Sequence, residues 1–188
     1  NASELLRTYD LRPRKSLGQN FLVDASALER ITTSAEILPE NDVLEIGPGL
    51  GSLTRYLAAS ARSVVAVELD SRLLPALEEV LKPWSNVKII NGDILDIDPA
   101  GLMPEDGYLV IANIPYYITS ALIRHLLESG RKPARLALTI QREVAERICA
   151  QAGDLSLLAL SVQVYGKPRN ILRIPAGAFY PPPKIDSC

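Results

Sequence analysis

Five short apolar runs, four of them followed at once by a helical repeat, restrict this chain more than any other feature: DVLEIG, SVVAVE, NVKIIN, GYLVIAN and ARLALTIQ. Each is nearly continuous in Val, Ile, Leu and Ala rather than alternating with polar residues. Strands of that kind are buried on both faces, and the helices between them supply the cover. The pattern predicts an α/β fold with a mostly parallel central sheet and helices on both faces. The covering helices are LTRYLAASA, SRLLPALEEVL, TSALIRHLLES and REVAERICAQ, with Pro75 tolerated only near the first turn of its helix. Upstream, SALERITTSAEIL reads as a helix in which Ser26 and Glu29 have capping-box spacing. Downstream, SLLALSVQVY reads as a helix, NILRIP as a sixth strand and KIDSC as the start of a seventh. Residues 1–23 are predicted to be irregular.

The 188 residues, 47% of them apolar, suit one domain with a core of its own. No apolar run approaches the ~20 residues of a membrane-crossing helix, and no signal-peptide pattern opens the chain, so no membrane partner is expected. Cys149 and Cys188 have neither metal-ligand nor disulfide-framework spacing, which predicts a metal-free protein of the reducing cytoplasm. The chain starts at Asn1 without a Met and stops as KIDSC begins a new segment, so it reads as part of a longer protein. A net charge of −2 hides an asymmetry: residues 42–113 carry 5 basic and 11 acidic side chains, whereas residues 114–188 carry 10 basic and 5 acidic ones. A basic face attracts polyanions even on an acidic chain. Charges scattered over a solvated surface are the plainer alternative.

Ligands of such sheets bind beyond the carboxyl ends of the strands. The first candidate position is Glu45-Ile46-Gly47-Pro48-Gly49-Leu50-Gly51 at the end of the first strand, where glycines permit a sharp turn and close approach of a ligand to the backbone. The dinucleotide fingerprint wants Gly or Ala at the position held here by Ser52, so the turn suits a nucleoside without a pyrophosphate better than NAD. Glu68 closes the second strand and can accept hydrogen bonds from both hydroxyls of a ribose. Asp70 is the rival carboxylate and is assigned to capping the next helix. Asp93 follows the third strand and can accept from an exocyclic amine, or serve only as a turn residue bonding its own backbone. Three acceptors after three successive strands describe a pocket for an adenosine.

The fourth strand ends at the same rim, in Asn113-Ile114-Pro115-Tyr116-Tyr117. The Asn113 amide offers an acceptor and two donors, and Pro115 fixes the turn while leaving the Ile114 carbonyl free to point outward. Tyr116 brings a ring on which a flat base can stack, worth ~1–3 kcal/mol. A strand-ending turn with a buried tyrosine is the bland alternative.

Taken in order, GQNFL, EIGPGLG, VELD, GD, NIPYY and GAFYPPPKIDS resemble the ribosomal RNA adenine N6-dimethyltransferases of the KsgA type, and the related Erm methyltransferases share most of these motifs. The resemblance runs from about Pro13 to Cys188. It implies a Rossmann-like class I methyltransferase fold, S-adenosyl-L-methionine as cofactor, and a structured small-subunit rRNA, in a pre-30S particle, as substrate. Two adjacent adenosines near the 3′ end of that rRNA would each be methylated twice. By resemblance, Asn20 and Leu22 belong to an N-terminal segment, residues 1–24, over the cofactor, with the methyltransferase domain in 25–188. Gly47 and Gly49 line the cofactor, Glu68 meets its ribose, Asp93 its adenine, and Asn113 both cofactor and target. Ile114, Pro115 and Tyr116 fall in the target-base motif, and Phe179 matches the aromatic that sandwiches the target adenine. Asn113, Tyr116 and Phe179 carry the catalytic role. Ile114 stands where the family usually has Leu. The family's C-terminal helical domain lies beyond this chain, and a monomer is expected.

Arg12, Arg14 and Lys15, with Arg124, Arg131, Lys132, Arg142 and Arg147, form the pool of RNA-contact candidates. His125 is assigned to a helix surface and Trp84 to packing a turn. Three other readings stay open: Erm-like methylation of 23S rRNA, a nucleic-acid-binding or assembly factor that keeps the pocket without relevant catalysis, and an NAD-dependent oxidoreductase, which Ser52 disfavours.

Overall fold

The computed structural model describes residues 2–114, 118–151 and 153–188. Helix α1 (Ala2–Thr8), strand β1 (Phe21–Leu22) and helix α2 (Ala25–Ser34) lead into five strands: β2 (Asp42–Ile46), β3 (Ser63–Glu68), β4 (Val87–Asn91), β5 (Leu109–Asn113) and β6 (Arg135–Thr139). These make one sheet in the order β4-β3-β2-β5-β6, and every neighbouring pair is parallel. Helix α3 (Ser52–Ser60) joins β2 to β3, α4 (Leu74–Leu81) joins β3 to β4, and α6 (Thr119–Glu128) joins β5 to β6, with the short α5 (Pro99–Leu102) between β4 and β5. Helices α7 (Arg142–Ile148) and α8 (Leu157–Gln163) follow, and β7 (Phe179–Tyr180) pairs antiparallel with β1. No helix among the described residues is long and apolar enough to cross a membrane.

The predicted apolar runs are the sheet. Successive side chains of a strand point to opposite faces, so β2 sends Val43 into a cluster with Leu57 and Ile111 while Leu44 and Ile46 join Val110, Leu122 and Leu126 on the other face. Leu44, Leu57, Leu122 and Leu126 are fully buried, each worth ~1.5–3 kcal/mol of transfer free energy. Pro75 stands in the first turn of α4, preceded by a 3-10 turn over Ser71–Leu73, as its missing amide requires.

Four expectations are corrected. The N-terminal segment is not irregular throughout, because α1 forms there and buries Leu6 against Phe21, Leu50, Leu73 and Ala76. Asp24, not Ser26, caps α2, its carboxylate accepting the Ala27 amide at 2.7 Å. The run NILRIP is not a strand: only Ile174 pairs, in an isolated bridge to Ser187. The closing KIDSC run likewise makes bridges rather than a ladder, Ser187 to Gln141 and Ile174. A strand needs a continuous neighbour for its backbone groups, and these two segments supply each other with one bridge.

Candidate active site

The chain turns back at β2: β3 and β4 are laid to one side of it, β5 and β6 to the other. Such a reversal leaves a crevice at the carboxyl ends of the two central strands. A cavity of about 270 Å³ opens there, and its wall includes Gly47, Gly49, Glu68, Asp93 and Asn113. The segment Leu17–Leu22 crosses it, and Phe179 of β7 completes the wall beside Leu22, its ladder partner.

The glycine turn is shaped by necessity. Gly47 and Gly49 have φ of +70° and +59°, a conformation L side chains rarely adopt. At Gly49 a Cβ would also stand 2.9 Å from the Phe21 ring, so the aromatic of β1 can lie on the turn only because nothing projects from it. Glu68 Oε2 accepts the Gly49 amide at 2.9 Å and Oε1 accepts the Asp70 amide at 2.8 Å. The carboxylate therefore clamps the turn to the end of β3 and keeps a second lone pair on each oxygen for a ligand. Burial pushes the Glu68 carboxyl above its ordinary range, and the two backbone amides partly offset this.

Asp70 behaves as predicted for a cap, accepting the Arg72 amide, and it pairs with the Arg72 guanidinium at 2.5 Å. It also accepts from Gln19 Nε2 at 2.8 Å, which fastens the crossing segment over the cavity. The Arg72 guanidinium holds the Asp70 carboxyl below its ordinary range. Asp93 accepts the Leu95 amide at 2.9 Å through Oδ1, the turn bond expected of it, and still lines the cavity. Asn113 Nδ2 donates to the Asn20 carbonyl at 3.1 Å. That contact orients the amide and leaves Oδ1 as a fixed acceptor at the rim. Ile114 is buried, with its amide held by the Thr139 carbonyl at 3.2 Å.

Charge defines what fits. Glu45, Glu68 and Asp93 line the cavity, and none of the lining side chains among the described residues is Lys, Arg or His. A pyrophosphate would meet only negative charge; a diol, an exocyclic amine and a cation would each find an acceptor.

Residues 11–188 match the sequence signature of the ribosomal RNA adenine dimethylases. The chain belongs to that family. It is 46% identical over 187 residues, 99% of its length, to ribosomal RNA small subunit methyltransferase A of Dehalococcoides mccartyi, and 44% identical over 196 residues, 98% of its length, to the protein of that name from Pelotomaculum thermopropionicum. It spans 64% of the length of the first and 66% of the second. Among solved structures it resembles a dimethyladenosine transferase from Plasmodium falciparum, with a TM-score of 0.80 and 31% identity, covering 89% of this chain and 60% of that one. It also resembles the 23S rRNA methyltransferase ErmE, with a TM-score of 0.77 and 35% identity, covering 90% of this chain and 67% of that one. The fold is thus the Rossmann-like class I methyltransferase fold.

Within this dimethylase-family domain the predicted residues divide. Asn20, Leu22, Gly47, Gly49, Glu68, Asp93, Asn113, Ile114 and Phe179 all line the one cavity. Pro115 and Tyr116 lie outside the described residues. Arg12, Arg14 and Lys15 are exposed and precede the crossing segment. Arg131 leaves the RNA-contact pool, because its guanidinium donates to the Ala100 and Met103 carbonyls and staples α5. Lys132 is tied to the Leu127 carbonyl at 2.7 Å. His125 is half-buried and bonds the Ile97 carbonyl at 2.9 Å, and Trp84 packs against the core. Of the described acids and amides on the cavity wall, the motifs give Gln19 and Glu45 no role of their own: they stand only inside GQNFL and at the start of the glycine-turn segment. The signal for Glu45 was an acid inside an apolar strand, where a charge is out of place.

Proposed function

We propose that this domain transfers methyl groups from S-adenosylmethionine to adenine N6 in small-subunit rRNA, dimethylating two adjacent adenosines near the 3′ end during assembly of the pre-30S particle in the cytoplasm. The observation that carries the reading is the acidic cavity at the strand reversal, with no Lys, Arg or His among its described lining residues and the Asn113 acceptor fixed at its rim. Glu68 would hold the ribose diol, Asp93 the adenine amine, and the Gly47–Gly49 turn the amino-acid side, under a cover formed by Asn20 and Leu22. When bound, the sulfonium cofactor supplies an electrophilic methyl group.

The target N6 is a poor nucleophile because its lone pair is delocalised into the ring. Asn113 Oδ1, oriented through Asn20, would accept a hydrogen bond from N6 and localise that pair. The Ile114 carbonyl would take the second one. Tyr116 and Phe179 would hold the unstacked base between rings, as enzymes that work on bases require. Positioning and preorganised acceptors then carry the rate, with no side-chain base needed before attack. Arg12, Arg14 and Lys15 would steer the phosphate backbone.

The likeness to ErmE supports a second reading, methylation of 23S rRNA. The identities to proteins named for the small subunit favour the first. Methyl transfer to separately isolated, under-methylated small and large subunits tests both. The expected result is N6,N6-dimethyladenosine at two neighbouring positions of the small-subunit rRNA, and transfer to large subunits alone would overturn it.

A further inference from the structure

The segment that crosses the cavity is held from two sides. On one side β1 pairs with β7, and the Val23 amide donates to the Ala178 carbonyl at 2.9 Å. On the other side the tie is the Gln19 side chain. Its Oε1 accepts the Arg14 amide at 2.8 Å, and its Nε2 donates to Asp70 Oδ2 at 2.8 Å. Both ends of this amide are engaged, so only one orientation serves: a carboxylate takes a hydrogen bond from the nitrogen, and a backbone N–H gives one to the oxygen. Asp70 is a fixed anchor, paired with the Arg72 guanidinium and held at its own amide by Glu68 Oε1.

Between the two ties lies Asn20, whose carbonyl accepts from Asn113 Nδ2 at 3.1 Å. A primary amide turned by 180° fills the same space with donor and acceptor exchanged. The Asn20 carbonyl decides between the two arrangements. It draws Nδ2 toward the cover and would repel Oδ1, so the oxygen is left for an incoming amine. Turned over, Asn113 would set hydrogens against the hydrogens of that amine.

We propose that Gln19 is a positioning residue for methyl transfer: tied to Asp70, it holds the Asn20 carbonyl where that carbonyl selects the orientation of the Asn113 amide. The proposal rests on the functional reading above and extends its machinery across the cavity, from the end of β5 to the residues after β3. Gln19 acts through Asn20 and Asn113 and has no contact of its own with the reacting atoms. Its loss leaves Asn113 present but no longer committed to one arrangement.

A polarity swap tests this. Gln19→Glu keeps the side chain's shape and its acceptor for the Arg14 amide, but sets a carboxylate against Asp70. Adding Asp70→Asn restores a hydrogen bond with the donor moved to position 70. Asp70→Asn alone keeps an acceptor for Gln19 Nε2 and should stay near the parent. The first readout is solvent exchange of the Asn113 side-chain amide protons, followed by NMR in the ligand-free 188-residue chain and assigned by their loss in Asn113→Ala. Exchange should quicken about fivefold in Gln19→Glu, the worth of one ordinary hydrogen bond, and return to within about twofold of the parent in the double variant. Unchanged resonances of the sheet amides certify the fold. The second readout is transfer to under-methylated small subunits at saturating S-adenosylmethionine. It should fall ~10–100-fold in Gln19→Glu, the cost of a misplaced catalytic group, and recover most of that loss in the double variant. Parent-like exchange in Gln19→Glu, no recovery in the double variant, or lost protection of Asn113 without lost transfer each overturns the proposal while sparing the cofactor pocket. A parent chain that neither binds S-adenosylhomocysteine nor methylates small subunits overturns the functional reading and the proposal with it.

Discussion

The two sides of β2 and the strip beyond β6 are built from similarly apolar sequence and end up differently. Around β2 every strand residue is buried, two parallel neighbours satisfy the backbone, and acids are held at less than a tenth exposure. Beyond β6, residues 170–175 contribute one bridge, and Leu157, Val164 and Ile171 are 84%, 80% and 61% exposed. A groove of about 460 Å³ separates β6 from that strip. The cavity acids Glu45 and Glu68 sit on strands that are tied on both sides. An apolar composition alone does not secure that; a paired neighbour does.

Substitutions can break or sharpen this contrast. Leu44→Ala, in the centre of the sheet, should have the largest effect, destabilising the domain by ~2–5 kcal/mol in denaturant unfolding. Next is Glu45→Gln. The folded-state value of this carboxyl lies above its unfolded value, so its contribution to stability is full at low pH and is lost as pH rises toward about 8. The ligand-free Gln variant should therefore be more stable than the parent at pH 7.5, by on the order of 1–3 kcal/mol, and the difference should vanish near pH 4. Equal stability at both pH values would mean that the carboxyl does not sit in a dry site. Asn113→Ala should leave cofactor affinity nearly intact and reduce methyl transfer to under-methylated small subunits by more than tenfold, about 1.4 kcal/mol. Turnover near the parent's would remove Asn113 from the mechanism. Ile171→Ser should be smallest, within ~0.5 kcal/mol in stability. A cost of several kcal/mol would show that the strip beyond β6 is as tightly held as the centre.

Much of this was legible in the residues. Continuous apolar runs and intervening helical repeats identify β2 to β6, because burial on both faces writes itself locally. The glycine turn and the acids Glu68 and Asp93 are legible for the same reason: they follow strand ends in the chain. What escaped depends on distant partners. Helix α1 forms because Leu6 finds Phe21, Leu50 and Leu73. The β1–β7 pair has two residues on each side, too short for any periodicity, and joins Phe21 to Tyr180. NILRIP has strand composition but lacks the neighbour. Arg131 has the composition of an RNA contact, and only the fold brings the Ala100 and Met103 carbonyls to it. Glu45 was visible as an acid in the wrong place, and only the cavity gives the anomaly a meaning.

The pairing of β1 with β7 also sets an order in time. A chain leaving the ribosome presents Phe21 and Leu22 early, then the glycine turn and the strand ends that make the floor of the cavity, and only at Phe179 and Tyr180 the segment that fixes its roof. Domains grow from the N-terminus at ~5–20 residues per second. A nascent molecule therefore spends seconds with an assembled floor and an unlatched cover, and the cavity closes only once Phe179 and Tyr180 have emerged.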